Sequence, residues 1–225
     1  MATKKKEADP GKKPAISYWS KEKCVCPICK KAFEHEIMRS GNGRMIAGSL
    51  TEELHRNFEP SAKYGRVYPL IYEVGACPFC YSAFFWNDFT EKITSDDGDK
   101  IFEHSDRRKK ACEAIFPYFN LKKERSLLDG TAMYYLALMT YDVMGAYALP
   151  TMKKAIIALR LAWLTKEMNQ HCAGPNYDVV SKLFYSKALF FYQQAVFNET
   201  NRTEKSSTLP NMGPDMDKNY GWDGV

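Results

Sequence analysis

KCVCPICKKAF, at residues 23–33, places three cysteines within six positions, and ACPFCYSAF, at 76–84, supplies a second pair. Cys26-Pro27-Ile28-Cys29 and Cys77-Pro78-Phe79-Cys80 are two copies of C-P-x-C, each followed four residues past its last cysteine by an aromatic, Phe33 and Phe84. A C-x-x-C knuckle brings both sulfurs to one side of a tight turn, and its backbone N–H groups can face them and stabilise thiolate charge. Two knuckles make a tetrahedral cage of four sulfurs from Cys26, Cys29, Cys77 and Cys80. That donor set suits one structural Zn²⁺ per chain, because the ion imposes no ligand-field geometry and bonds strongly to thiolates. The stretch between the knuckles must then form a subdomain that returns the chain to its start. Loop-closure cost rises only logarithmically with length, so the separation is no obstacle.

Other chemistries compete for the same sulfurs. A rubredoxin-type iron site is geometrically allowed, and a thioredoxin-like redox pair is the remaining alternative, although no βαβ pattern surrounds Cys26. Cys24 is the spare thiol; Cys26 is preferred as ligand because it has the C-P-x-C symmetry. A catalytic zinc keeps an open coordination position, and four cysteines leave none. His35, His55, His104 and His171 are scattered singly and read as surface or packed residues, His35 and His55 alone falling in the metal half. With no Ser/His/Asp set, P-loop or G-x-G-x-x-G fingerprint in view, the expectation is a protein that is not an enzyme.

The rest of the chain supplies the context. Its 225 residues, 45% hydrophobic and 14% aromatic, suffice for one ordinary domain or two small ones. The formal charge of +5 is carried by the start of the chain. Removing the seven lysines and three acids of residues 1–23 from the 32 and 27 of the whole leaves 25 basic and 24 acidic groups, a nearly neutral body. Four thiolates with Zn²⁺ add a charge of −2, which argues against a polyanion partner. MATKKKEADPGKKP lacks the apolar run of a secretory signal, and no segment has the roughly 20 apolar residues that span a bilayer, so a cytoplasmic location without membrane contact is expected. Seven cysteines in a reducing compartment then point to ligation or burial rather than disulfides.

Composition divides the chain into a disordered basic tail at 1–22, a zinc-binding module at 23–93, a helical region at 105–200 and a flexible C-terminal tail at 201–225. The fold class expected is α+β: a small β-rich zinc-binding module followed by an all-α antiparallel region. GNG at 41–43 and YG at 64–65 mark turns between short strands, and SDDGDK at 95–100 reads as a solvated turn. Helices are expected near 106–116, ended by Pro117, through 130–149 from Asp129 and Gly130, closed by Pro150, from Thr151 to Gln170, and from Tyr177 to Thr200. Ala155, Leu159 and Ala162 recur 33 residues later as Ala188, Tyr192 and Ala195. That small–large–small spacing fits a tetratricopeptide array, whose period is about 34 residues, and equally an ordinary antiparallel bundle. Tyr220 and Trp222 stand among acids in the expected tail, which reads as solvated.

With both knuckles placed, the first half resembles the bacterial family of uncharacterised proteins designated domain of unknown function 2225. The resemblance rests on CPICKKAF at 26–33, RSGNGR at 39–44, YPLIYEV at 68–74 and CPFCYSAFFWNDF at 77–89, in that order. It implies a zinc-knuckle part followed by tetratricopeptide-like helices, to which AIIALRLAWL at 155–164 is similar. After the last cysteine the family usually has Gly where this chain has Tyr81, which implies a different turn or local strain. The family brings no established activity.

The leading functional expectation is a non-enzymatic adaptor whose helical surface binds an unidentified protein partner, using some of Tyr134, Tyr135, Tyr141, Phe190 and Tyr192. A nucleic-acid-binding zinc ribbon is the alternative, with RRKK at 107–110 and Lys122-Lys123 as phosphate contacts, although RRKK reads more simply as a solvated helix face. A thiol redox protein ranks third and requires the metal to be absent.

Overall fold

The computed structural model describes residues 15–91, 93–172, 176–209 and 213–215. Eight short strands come first: β1 (Ser17–Trp19), β2 (Cys24–Val25), β3 (Ala32–Phe33), β4 (Glu36–Met38), β5 (Ile46–Leu50), β6 (Arg56–Glu59), β7 (Val74–Ala76) and β8 (Ala83–Phe85). They form four antiparallel ribbons, β1–β4, β2–β3, β5–β6 and β7–β8. In register, Tyr18 opposes Ile37, Cys24 opposes Phe33 and Gly75 opposes Phe84, while β5–β6 shifts register between Ala47 and Leu50. A two-stranded ribbon has too little apolar surface to stand alone. The helices that follow supply the missing surface: α1 (Ser95–Glu103), α2 (Ser105–Ile115), α3 (Leu127–Tyr141), α4 (Pro150–His171) and α5 (Tyr177–Thr200). The α+β class is as expected.

The central element is α3, apolar on nearly every side and buried from Leu127 to Tyr141 with few interruptions. A helix of that kind belongs inside a core. It packs against β7, β8, α2 and α4. Phe84, Val74, Phe116, Leu136, Ile156 and Leu161 fall in one continuous cluster with the knuckle cysteines Cys26, Cys77 and Cys80. The two compositional halves therefore share a single core. Gly130 makes the close approach feasible: a Cβ there would stand 2.3 Å from Cβ of Ile71. Ala is ordinarily the better helix former, so the sign is reversed at this position. Gly130→Ala is expected to cost about 1–3 kcal/mol through overpacking, read as a lower urea midpoint with unchanged slope.

Helix boundaries differ from those expected where a capping side chain or Pro150, and not the apolar period, sets the start. α3 starts at Leu127 because Ser126 is its N-cap: Ser126 Oγ accepts from the Asp129 N–H at 3.2 Å and Asp129 Oδ2 accepts from the Ser126 N–H at 3.1 Å. Asp129 is thus the third residue of a capping box. Pro150 opens α4 instead of closing α3, which ends at Tyr141; proline's fixed φ suits a first helical turn that has no N–H partners to lose. SDDGDK is no solvated turn. It begins α1, capped by Thr94, with Asp96 and Asp97 in the first turn where the helix dipole favours anions and with Ile101 buried.

The expected tails also hold structure. Ser17–Trp19, within the span read as disordered, is a strand paired to β4. Towards the C-terminus, buried Glu204 accepts from the Thr151 N–H at 3.0 Å and from Thr151 Oγ1 at 2.6 Å, capping α4 from outside the helix. Arg160 donates to the carbonyls of Pro214, at 2.9 Å, and Gly213, at 3.2 Å. Asp215 accepts from the Arg56 N–H at 2.7 Å and lies 2.5 Å from Nδ1 of His55, which stacks on Trp163. These contacts run through backbone carbonyls and single carboxylates, which composition does not reveal. Tyr220, Trp222 and residues 1–14 lie outside the described residues.

Ala155, Ala162, Ala188 and Ala195 are all buried. They lie where α4 and α5 meet as an antiparallel pair, with Ser181 Oγ donating to the Ala162 carbonyl at one end and Asn198 Nδ2 to Thr151 Oγ1 at the other. Each 33-residue period contains one long helix, whereas a tetratricopeptide unit contains two. The alanines accordingly mark contact within one helical hairpin. No helix among the described residues is long and apolar enough to cross a membrane.

Candidate metal centre

The two knuckles have the same backbone design. In the first, between β2 and β3, the Cys26 N–H donates to Lys31 O and the Lys30 N–H to Cys26 O, both at 3.0 Å. In the second, between β7 and β8, the Cys77 N–H donates to Ser82 O at 2.8 Å and the Tyr81 N–H to Cys77 O at 3.0 Å. Each turn ends with a left-handed residue, Lys30 at φ 60° and Tyr81 at φ 56°. Of the two outcomes expected at Tyr81, an altered turn or strain, the chain takes strain, which costs a non-glycine residue about 1–2 kcal/mol. The aromatics that follow the knuckles meet on a shared ring: Phe33 and Phe84 lie 5.9 and 5.3 Å from Phe89. This common packing helps bring the two knuckles together.

The sulfurs of Cys26, Cys29, Cys77 and Cys80 all lie within 4.8 Å of one another. Across the knuckles, Cys26 Sγ is 3.6 Å from Cys80 Sγ, and Cys29 Sγ is 3.6 Å from Cys77 Sγ. A disulfide needs about 2.05 Å, and all seven cysteines are free thiols. A tetrahedron with zinc–sulfur bonds of about 2.3 Å has edges of about 3.8 Å, so the spacing fits a four-coordinate thiophilic ion. The thiols' own electrostatics also call for a cation. Hydrogen bonds from Cys77 and Cys80 hold Cys26 far below the usual thiol range, whereas Cys77, as donor to Cys26, is pushed far above it. A bound cation would favour the ionised form of all four sulfurs. Cys24, raised by burial and then by the charge on Cys26, stays outside the cluster. None of the four histidines joins it.

The outer shell was not legible in the sequence. Ser82 Oγ lies 3.1 Å from Cys80 Sγ and 3.4 Å from Cys26 Sγ, and the side chain is fully buried. Arg108, from the RRKK run, is only 3% exposed. The solvated-face reading fails at that residue, because α2 turns it inward onto the second knuckle. Its Nη2 donates to Cys80 O at 2.9 Å and its Nε to Tyr81 O at 3.3 Å, holding the strained turn. Its Nη1 is buried without a hydrogen-bond partner among the described residues. Burial lowers the guanidinium's proton affinity while the charges of Cys80 and Cys26 raise it. A buried cation beside a four-sulfur cluster complements the net negative charge of a filled site. Arg108→Gln is expected to weaken metal retention roughly 10–100-fold in competition with a chromophoric chelator, the usual effect of losing an outer-shell partner.

Comparison with known proteins places this architecture in a family. The profile described as "Uncharacterized protein conserved in bacteria (DUF2225)" matches residues 19–212, which include both knuckles and helices α1 to α5. An uncharacterised protein of Borreliella burgdorferi is 35% identical over 211 residues, spanning 93% of this chain and 75% of that protein. No solved structure matches the chain. A family match over most of its length, around the same paired knuckles, means that the chain belongs to the DUF2225 family of uncharacterised bacterial proteins.

Proposed function

We propose that the chain is a non-enzymatic interaction adaptor in which structural zinc, held by Cys26, Cys29, Cys77 and Cys80, fixes the ribbons against the helices. When bound, the ion would supply a cross-link between the two knuckles and leave no coordination position for substrate. The outward face of α5 then docks an amphipathic helix of a partner protein. The observation that carries this reading is the double-sided character of α5. Phe184, Ala188 and Ala195 are buried against the fold, and on the opposite side Leu183, Phe190 and Phe197 are 59%, 58% and 62% exposed. A helix apolar on two opposite faces has a second surface to cover, and a continuous exposed apolar patch is the mark of an interaction site. Of the aromatics expected to form such a surface, Tyr134 and Tyr141 are fully buried, Tyr135 and Tyr192 are half-buried, and Phe190 alone stands out.

The test is affinity capture with the full chain and with a Leu183→Glu, Phe190→Glu, Phe197→Glu variant of equal zinc content. A protein retained by the first and lost by the second is the expected result. Retention that ignores the substitutions removes the reading.

Nucleic-acid binding is the second reading, favoured by one feature. Phe79, 44% exposed on the second knuckle, has Lys31 Nζ 5.1 Å and Lys122 Nζ 5.7 Å from its ring centre, a cation–aromatic pairing of the kind that stacks on single-stranded bases. The nearly neutral body opposes it. Filter binding with generic RNA and DNA at physiological salt separates the two readings, since the adaptor predicts no retention.

A further inference from the structure

The α5 face has the pattern needed to pair with itself, and we infer that its occupant is α5 of a second copy of this chain, packed antiparallel. The inference rests on the reading of that face as a docking surface. Val179, Leu183, Ser186, Phe190, Gln193 and Phe197 are all exposed and follow one another at alternating steps of four and three. This 3.5-residue repeat is the seam of a two-helix coiled coil. Leu183, Phe190 and Phe197, seven residues apart, are large, and Val179, Ser186 and Gln193 between them are smaller or polar.

The alternation selects an orientation. In a parallel pair like positions meet, so Phe190 would crowd its own copy while Ser186 left a gap. About a two-fold axis at residue 188, antiparallel helices place Phe197 against Val179, Phe190 against Ser186 and Leu183 against Gln193, so large meets small in each layer and all six positions are covered. Leu189, 61% exposed, lies beside that axis and meets its own copy. Lys187 does the same on the other edge, where its charged end can reach water. The 24-residue helix is about 36 Å long. A specific interface buries about 1,200 Å² or more in total, so the seam must be covered along its whole length.

Light scattering on the full zinc-loaded chain, from low to high micromolar, is expected to give twice the 25.8 kDa chain mass. Phe190→Glu with Phe197→Glu, both at exposed positions, should return it to monomer with circular dichroism and zinc content unchanged. Orientation is read by cross-linking with oxidised glutathione: Leu189→Cys should join two chains, and Ser186→Cys should not. A chain that stays at 25.8 kDa at every concentration overturns the inference. So does a dimer that survives both glutamates, or one joined through Ser186→Cys. If the chain is monomeric yet the α5 substitutions still abolish capture of another protein, pairing fails and the docking reading stands; if capture is also insensitive, both fail.

Discussion

Stripping the metal is expected to unfold α3 and its neighbours as well as the ribbons. The zinc module and the helices were separate regions in the sequence reading, and chelation would then have left the helices intact. In the structure, Cys26, Cys77 and Cys80 fall within the same buried cluster as Phe84, Leu136 and Ile156. Main-chain groups next to the cysteines bond into α3 directly: the Ala83 N–H donates to Thr140 Oγ1 at 3.2 Å and the Phe85 N–H to Tyr141 Oη at 3.1 Å. A structural zinc contributes on the order of 10 kcal/mol, comparable to the whole stability of an ordinary domain. Chelation, or Cys77→Ser combined with Cys80→Ser, should therefore abolish most of the cooperative unfolding transition. Helical circular dichroism should fall with it, and readdition of zinc to the chelated chain should restore both. Helices that keep their full signal and melting temperature without metal would show that the core holds without the cage.

Arg125→Ala should be the most damaging single substitution away from the cysteines. Its guanidinium is buried; Nη1 donates to the carbonyls of Ile71 and Val74, each at 2.7 Å, and Nε lies 3.7 Å from Glu36 Oε2. The Arg125 N–H also donates to Glu36 Oε2 at 2.9 Å, and Ser17 Oγ hydrogen-bonds the other carboxylate oxygen. Stacking over Tyr72 and Trp86 completes the enclosure. Three segments distant in sequence, β1, β4 and the approach to β7, are thus tied to the start of α3 by the Arg125–Glu36 pair. Removing it leaves Glu36 charged and buried, at a cost of about 3–5 kcal/mol. Glu36→Gln with Arg125→Met should cost less than Arg125→Ala alone, because neither variant residue strands a charge. Denaturant titration of both variants measures the difference, and equal losses would mean that the pair contributes through packing alone.

What the sequence disclosed and what it hid have separate physical causes. Two C-P-x-C motifs specify paired knuckles through local turn chemistry, so the four cysteines that cluster could be named before the fold was known. The bounds of α5, Tyr177–Thr200, were legible because an apolar period runs the whole length between clear breaks. Periodicity did not locate α1, whose stripe is short and whose start depends on Thr94 as a cap. Arg108 looked like one member of a solvated charge run; only the placement of α2 over the second knuckle turns it inward. Glu204 and Asp215 each act through contacts to segments more than fifty residues away in the chain. The α5 face was partly visible: Phe190 stands among the five aromatics expected at a surface, yet Leu183 and Phe197 emerge only once the buried side of the helix is fixed by α4.

The most direct measurement of the central claim is X-ray absorption at the zinc edge, on protein purified without added metal and assayed for metal content. One zinc per chain with four sulfur neighbours at about 2.3 Å is the expected result. A chain that carries no stoichiometric metal, or a zinc shell containing nitrogen or oxygen in place of any of the four sulfurs, would contradict it.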